Sequence, residues 1–167
     1  MTIEIRHLDD PDILVEINNA AVPDVNRLDR QKAEWLLEHS ALAKVAIVDQ
    51  QAVGVIVVLD DTAGLDSEYF RWFTERYQNF IYIDRVIVTE SARRHGVSTR
   101  LYRAVDELAR DRRQAIASEV YCEPPNLPSL SFHEKMGYQP IGRQFCAAEA
   151  KSVAKLMKFG DYARPAH

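Results

Sequence analysis

The residues 91–99, Ser91-Ala92-Arg93-Arg94-His95-Gly96-Val97-Ser98-Thr99, combine cations, a glycine and hydroxyls in one short segment. They follow an apolar run, FIYIDRVIVT at 80–89, that reads as a strand, and they precede Leu101, Val105 and Leu108, which recur at helical spacing. A basic turn that feeds directly into a helix suits an anion. The N–H groups of a first helical turn have no intrahelical partner, and the aligned peptide dipoles add partial positive charge there. Gly96 permits a positive φ and close approach of the backbone to a phosphate. Arg93, Arg94 and His95 lie beside it, and Ser98 and Thr99 add hydroxyl donors, so the ligand expected from the pattern is a pyrophosphate. The plainer alternative is a solvated arginine pair at the start of a helix. Neither the Walker A pattern GxxxxGK(S/T) nor the dinucleotide pattern GxGxxG occurs.

The elements that must position this turn alternate between strand and helix. Residues 2–6 alternate polar and apolar, as a half-buried strand does. Asp9-Asp10-Pro11 starts a helix carrying Ile13, Leu14 and Ile17, and the polar run 18–24 predicts its break. A second helix is expected over 29–39, with Trp35, Leu36 and Leu37 toward its buried side. Residues 44–49 and 52–59 read as strands joined by a turn at Asp49-Gln50-Gln51. The insertion 60–79 has a centre at 67–77 too aromatic for an idle linker, and predicts a short helix or an active-site lid. After the basic turn come a helix of about four turns with Leu101, Val105 and Leu108 buried, and a strand at 115–122. A helix follows at 129–136, capped by Gly137, and strands at 138–144 and 153–159 complete the chain. With no repeat, low-complexity stretch or boundary, 1–167 reads as a single domain.

Composition narrows the class. Hydrophobic residues at 47% and charged residues at 28% suit a soluble globular protein. Lys+Arg 21 against Asp+Glu 25 gives a charge of −4, which argues against a protein built to grip nucleic acid, leaving only the basic stretch 93–113 for that reading. MTIEIRHLDD contains no apolar signal-peptide core, and no apolar run approaches the roughly 18 residues of a membrane span. Cys122 and Cys146 have neither disulfide-framework nor zinc spacing and read as reduced packing residues, which points to the cytoplasm. Five scattered histidines, with no HExxH, predict no metal site.

Arg93-Arg94-His95-Gly96-Val97-Ser98 resembles the acetyl-CoA pyrophosphate loop of the GNAT superfamily, Q/R-x-x-G-x-G/A, with Arg93 and Gly96 in register and Ser98 where Gly or Ala is usual. Residues 126–138 resemble the superfamily's second motif, NxxAxxxYxxxGF, through Asn126, Gly137 and Tyr138. The order of expected elements follows the superfamily over almost the whole chain. A subgroup of predicted GNAT acetyltransferases with a YVDRIVV-like strand, an FRWF-like insertion and a PPNxxSxxFH segment is especially similar. The resemblance implies an α/β (α+β) fold. Its central, mostly antiparallel mixed sheet would have six to seven strands, helices on both faces, and a splay between the fourth and fifth strands for the pantetheine arm. It implies acetyl-CoA as co-substrate, no metal, and an amine acceptor that is a small molecule, an amino acid or a peptide.

Site residues carried over by the resemblance are Val86 and Val88, whose backbone groups would hold the pantetheine, and Arg93, Arg94, His95, Gly96, Val97, Ser98 and Thr99 at the pyrophosphate, with Asn126 and Ser129 also on the cofactor. Direct attack on the thioester needs an amine without its proton, a polarised carbonyl and a proton for the leaving thiolate. Period-2 geometry puts Asp84 on one strand face with Tyr82, Val86 and Val88, which makes it the expected base; the alternative is an ion pair with Arg71 or Arg143. His133 stands where many members carry a tyrosine acid, and three roles are open to it: proton donor, cofactor contact, or packing alone. Tyr82 and Tyr121 are rival acids. Asn18, Asn19 and Pro23 are expected to border the acceptor cleft, with Arg71, Trp72 and Tyr82 completing it for an acceptor bearing an apolar part and a carboxylate. Trp72 and Phe73 as mere lid core is the alternative. A GNAT-like module that binds acyl-CoA without turnover is the competing function, and a homodimer through the C-terminal strands is compatible with either.

Overall fold

Four of the five α-helices described begin where a short polar side chain receives a first-turn N–H. The computed structural model describes residues 1–160, so 161–167 of the expected domain lie outside it. It contains seven strands in one sheet, ordered β1-β2-β3-β4-β5-β7-β6: β1 (Glu4–His7), β2 (Ser40–Val48), β3 (Gln51–Asp60), β4 (Phe80–Val88), β5 (Ala115–Glu123), β6 (Gln139–Cys146) and β7 (Lys151–Lys158). The helices are α1 (Pro11–Ala20), α2 (Arg30–His39), α3 (Glu68–Thr74), α4 (Val97–Arg112) and α5 (Leu127–Lys135). Two compact units emerge: Met1–Ala63 with Ile83–Leu108, and Gly64–Tyr82 with the chain from Ala109 onward. No helix among the described residues is long and apolar enough to cross a membrane.

In the first unit, Asp10 caps α1 by accepting from Asp12 N at 2.9 Å, and Asp29 caps α2 by accepting from Lys32 N at 2.7 Å. Helix α1 continues through Asn18 and Asn19 to Ala20, past the break expected from composition. The reason is that the two amides bond to the following loop: Asn18 Nδ2 donates to Asn26 O, and Asn19 brackets Leu28 through both its N and O. On α2 the buried residues are Ala33 and Leu36, with Trp35 and Leu37 half-buried. The β2–β3 turn places Asp49 and Gln50 at φ 50 and 65, the two left-handed residues that match the twist of a tight hairpin. Strands β1 and β2, and β2 and β3, pair antiparallel. Helix α4 runs past the end of this unit at Leu108; its buried stripe is Leu101, Tyr102, Val105 and Ala109, and the expected Leu108 is only half-buried. Spacing of i, i+4 from Leu101 selects 105 and 109, one position beyond Leu108.

In the second unit, the aromatic insertion forms α3, with Ser67 capping it at Phe70 N. Phe70 and Phe73 are buried and pack on Phe80 and Tyr82, with ring centroids 5.3–6.4 Å apart. Phe70 and Phe73 are therefore core, whereas Trp72 is half-buried. Asn126 caps α5 through Ser129 N at 3.3 Å, which starts that helix two residues before the expected position. Strand β5 pairs antiparallel with β7, and β7 with β6. The parallel β4–β5 ladder runs only from Phe80↔Ala115 to Tyr82↔Ala117.

Candidate active site

The basic turn is built from the end of β4 outward. Thr89 N bonds Val53 O at 2.8 Å, a single 3-10 turn at Glu90–Ala92 buries Ala92, and Arg93 Nε donates to Val88 O at 3.3 Å. Arg94 and Gly96 then adopt φ 67 and 82 on either side of His95. The sequence marked Gly96 for that conformation; nothing marked Arg94. Helix α4 starts at Val97, whose buried side chain anchors it, and its first bond is Arg100 N to Gly96 O at 3.1 Å. Arg93, Arg94, His95 and Gly96 are exposed, and Ser98 and Thr99 are half-buried. A Cβ built on Gly96 would meet no atom within 4 Å, so the space over this backbone is open. Three basic side chains, first-turn N–H groups and open room above a glycine fit a pyrophosphate.

Asp84 lies in the same unit. Its Oδ2 accepts from Arg85 Nε at 2.7 Å, and Arg85 Nη1 donates to Asn18 Oδ1 at 2.9 Å. Asn18 is fully buried and passes the chain of bonds on to Asn26 O and Asn19. Asp84 thus has an arginine partner, but it is its own neighbour: Arg71 pairs with Asp66 and Arg143 with Glu123. Asn19, expected at the acceptor, is engaged by Leu28. Val86 and Val88 are half-buried on β4.

The second unit holds the remaining candidates. His133 is buried, its Nδ1 lies 2.7 Å from Ser129 O, and its ring meets Phe132 and Tyr138 edge-on. A carbonyl only accepts, so Nδ1 carries the proton. Burial pushes the His133 pKa below 6.5, against a smaller opposing effect of the Ser129 bond, which favours the neutral ring at pH 7. Tyr121 donates to Glu149 Oε2 at 3.0 Å and its pKa is pushed up to about 12, by burial first and then by Glu149. Tyr69 donates to the same oxygen at 2.7 Å and is raised likewise. Trp72 packs on β6 so closely that a Cβ on Gly142 would stand 2.6 Å from its Cζ2. Cys122 and Cys146 are free, and Cys146 Sγ donates to Glu68 Oε1.

Sequence reasoning missed Arg85, Glu119 and Lys155. Glu119 faces Lys155 across the β5–β7 register, and Tyr82 O–H donates to Glu119 Oε1. No spacing along the chain relates these residues; only the strand register does.

The sequence pattern of the Acetyltransferase (GNAT) family matches residues 6–138. Comparison with curated proteins gives no match. Among solved structures, Ard1 from Thermoplasma volcanium is similar with a TM-score of 0.74 at 17% identity, over 95% of this chain and 97% of that one. Arabidopsis thaliana NAA60 in complex with a bisubstrate analogue gives 0.74 at 16%, over 97% and 100%. The NatC complex bound to Gag peptide and CoA gives 0.73 at 20%, over 95% and 98%. At these identities the likeness is one of fold.

Proposed function

The chain belongs to the acetyltransferase (GNAT) family, and we propose that it uses acetyl-CoA to acetylate an amine of a small molecule, amino acid or peptide by direct attack on the thioester. The observation that carries the reading is the Arg93–Ser98 turn, where cations and a helix start surround open space at Gly96. Arg93, Arg94 and His95 would neutralise the pyrophosphate, the N–H groups of Val97, Ser98 and Thr99 would bond its oxygens, and the backbone of Val86 and Val88 would align the pantetheine. The Val88 carbonyl already accepts from Arg93 and retains a second lone pair. Asn126 Oδ1 caps α5, so its amide nitrogen is the atom left to meet the donor beside Ser129. When bound, acetyl-CoA supplies the activated acyl group; the protein supplies orientation and a place for the amine proton, for which Asp84 is one carboxylate.

For the acceptor, Arg71 is the residue best able to change partners. Its ion pair with Asp66 is half-exposed on one side and almost fully exposed on the other, and such pairs are weak. An acceptor carboxylate could replace Asp66. The peptide bound to the NatC neighbour makes a peptide amine the first acceptor to try. Trp72 and Tyr82 would contribute as packed walls, and Asn19 by holding its loop. A reduced, cytoplasmic setting agrees with two free cysteines, and a homodimer through the C-terminal strands agrees with the edge position of β6 and its exposed Phe145. Because Asp84 and His133 are both held by structural partners, a non-catalytic acyl-CoA-binding module is the second reading. The two separate on incubation with acetyl-CoA and a panel of peptides, amino acids and spermidine, with mass detection of the acetylated amine. Transfer to any member supports the enzyme, and binding without transfer supports the module.

A further inference from the structure

Strand β4 carries a cation on its covered face. Period 2 puts Arg85 in line with Ile83 and Ile87, both buried, yet an arginine occupies the place between them. Two groups hold its guanidinium: Nε donates to Asp84 Oδ2 at 2.7 Å, and Nη1 donates to Asn18 Oδ1 at 2.9 Å. Asn18 is fully buried and is itself fixed, its Nδ2 donating to Asn26 O at 2.8 Å and to Asn19 Oδ1 at 3.0 Å. All of these residues belong to the first unit. A guanidinium offers more N–H donors than the two spent here. Among the described residues neither Arg85 Nη2 nor Asp84 Oδ1 has a partner, and with the side chains 20% and 11% exposed neither atom is sealed from water. Tying the end of α1 to β4 needs only the bonds already made. A planar fork preset by a buried amide, with N–H groups left over and open to water, is what charge-assisted capture of a carboxylate needs. The neighbouring signs matter as much. A free acceptor oxygen on Asp84 beside a free donor on Arg85 sets minus next to plus, the complement of the ammonium and carboxylate of an amino acid. A polyamine would bring like charge to Arg85, and an amine with no carboxylate would leave the fork unused.

We propose that Arg85 receives a carboxylate belonging to the acceptor itself, which makes the acceptor a free α- or β-amino acid. The inference rests on the acetyl-CoA reading. With the pantetheine along Val88 and Val86, the residues next in line on β4, away from the basic turn, are Arg85 and Asp84. The acceptor's carboxylate bonds Nη2, and its nitrogen lies on the Asp84 side. Arg71 would have to release Asp66 before it could take an anion, in a pair largely open to water, whereas Arg85 has N–H groups to spare.

The test compares free amino acids with their own amides as acceptors, following the acetylated product by mass and thiol release for rate, alongside calorimetric binding of acetyl-CoA. Each amide keeps the amine and the side chain and loses only the negative charge. The wild type should favour at least one free amino acid over its amide by about 10–100-fold in kcat/KM, the worth of a hydrogen bond to a charged group. Arg85→Gln should raise KM for that amino acid by a similar factor and bring the acid-to-amide ratio toward parity. A merely structural arginine would lower both acceptors alike and leave the ratio in place. Arg85→Lys keeps a cation beside Asp84 should the glutamine variant fail to fold; it loses the fork, and should lower the ratio while retaining some preference for the acid. Equal use of acids and amides by the wild type, or faster transfer to spermidine or to peptide amides than to any amino acid, overturns the proposal. So does a ratio that survives in the folded Arg85 variants or is lost only in Arg71→Ala, and so does wild-type binding of acetyl-CoA with no transfer to any amino acid. Failure of the wild type to bind acetyl-CoA would instead remove the reading beneath it.

Discussion

The Arg93–Ser98 turn and the Tyr82–Glu119–Lys155 row handle charge in opposite ways. The turn leaves its arginines in water, next to a glycine with nothing above it. The row buries a lysine completely under three aromatic rings and gives it defined partners. Exposed cations cost little to keep and can follow a mobile anion, so the turn suits binding. A buried carboxylate and ammonium are costly to desolvate and hold each other in one geometry. The comparison teaches that substituting one charge should have very different consequences in the two places.

Lys155→Met leaves Glu119, itself only 12% exposed, without its cation, and should lower unfolding free energy in urea by about 3–5 kcal/mol. Arg94→Ala, on the exposed turn, should change it by less than about 0.5 kcal/mol. Equal effects would break the contrast. Next in size is the packing beside the row: Gly142→Ala forces a Cβ to 2.6 Å from Trp72, and should cost about 1–3 kcal/mol in the same measurement. On the turn, Gly96→Ala meets no atom and carries only the penalty of its φ of 82, about 1–2 kcal/mol.

The two regions also differ in pH dependence. The folded pKa of Lys155 is about 8 against 10.5 for a free lysine, so the unfolded chain binds more protons between those values. The stability penalty is full below about 8 and relieved as pH rises toward 10.5. His133 is also lowered, from 6.5, so its contribution is present above 6.5 and lost as pH falls through its folded value. Urea titrations should show an alkaline rise that Lys155→Met removes, and an acid loss that His133→Gln removes.

How far each region could be read from sequence follows from how it is assembled. The turn is contiguous, and a helix start needs only local residue types, so Arg93, Gly96 and Ser98 identified it. Asp10 and Asp29 marked helix starts for the same reason, each being a cap whose partner lies two or three residues away. Where a polar residue served a distant group, the reading failed: Asn18 and Asn19 resembled a helix break and are ties to the next loop. The aromatic insertion left helix and lid equally open, since composition gives the apolar content of a segment but not what covers it. Asp84 was noticed while its partner Arg85 was not, because period 2 places adjacent residues on opposite faces and the arginine reaches back along the strand. Glu119 and Lys155 meet only through the β5–β7 register, which no local pattern encodes.

The central claim, that the turn binds acetyl-CoA, is tested most directly by thermal unfolding of the wild type and Gly96→Asp with and without acetyl-CoA. Aspartate is among the residues most tolerant of a positive φ, and its Cβ would enter open space, so the variant should stay folded while placing a carboxylate against the phosphates. A ligand at about 100 times its Kd stabilises the folded state by about 2.7 kcal/mol. The account predicts a clear rise in the wild-type melting temperature that Gly96→Asp loses. No rise in the wild type, or an equal rise in the variant, would contradict it.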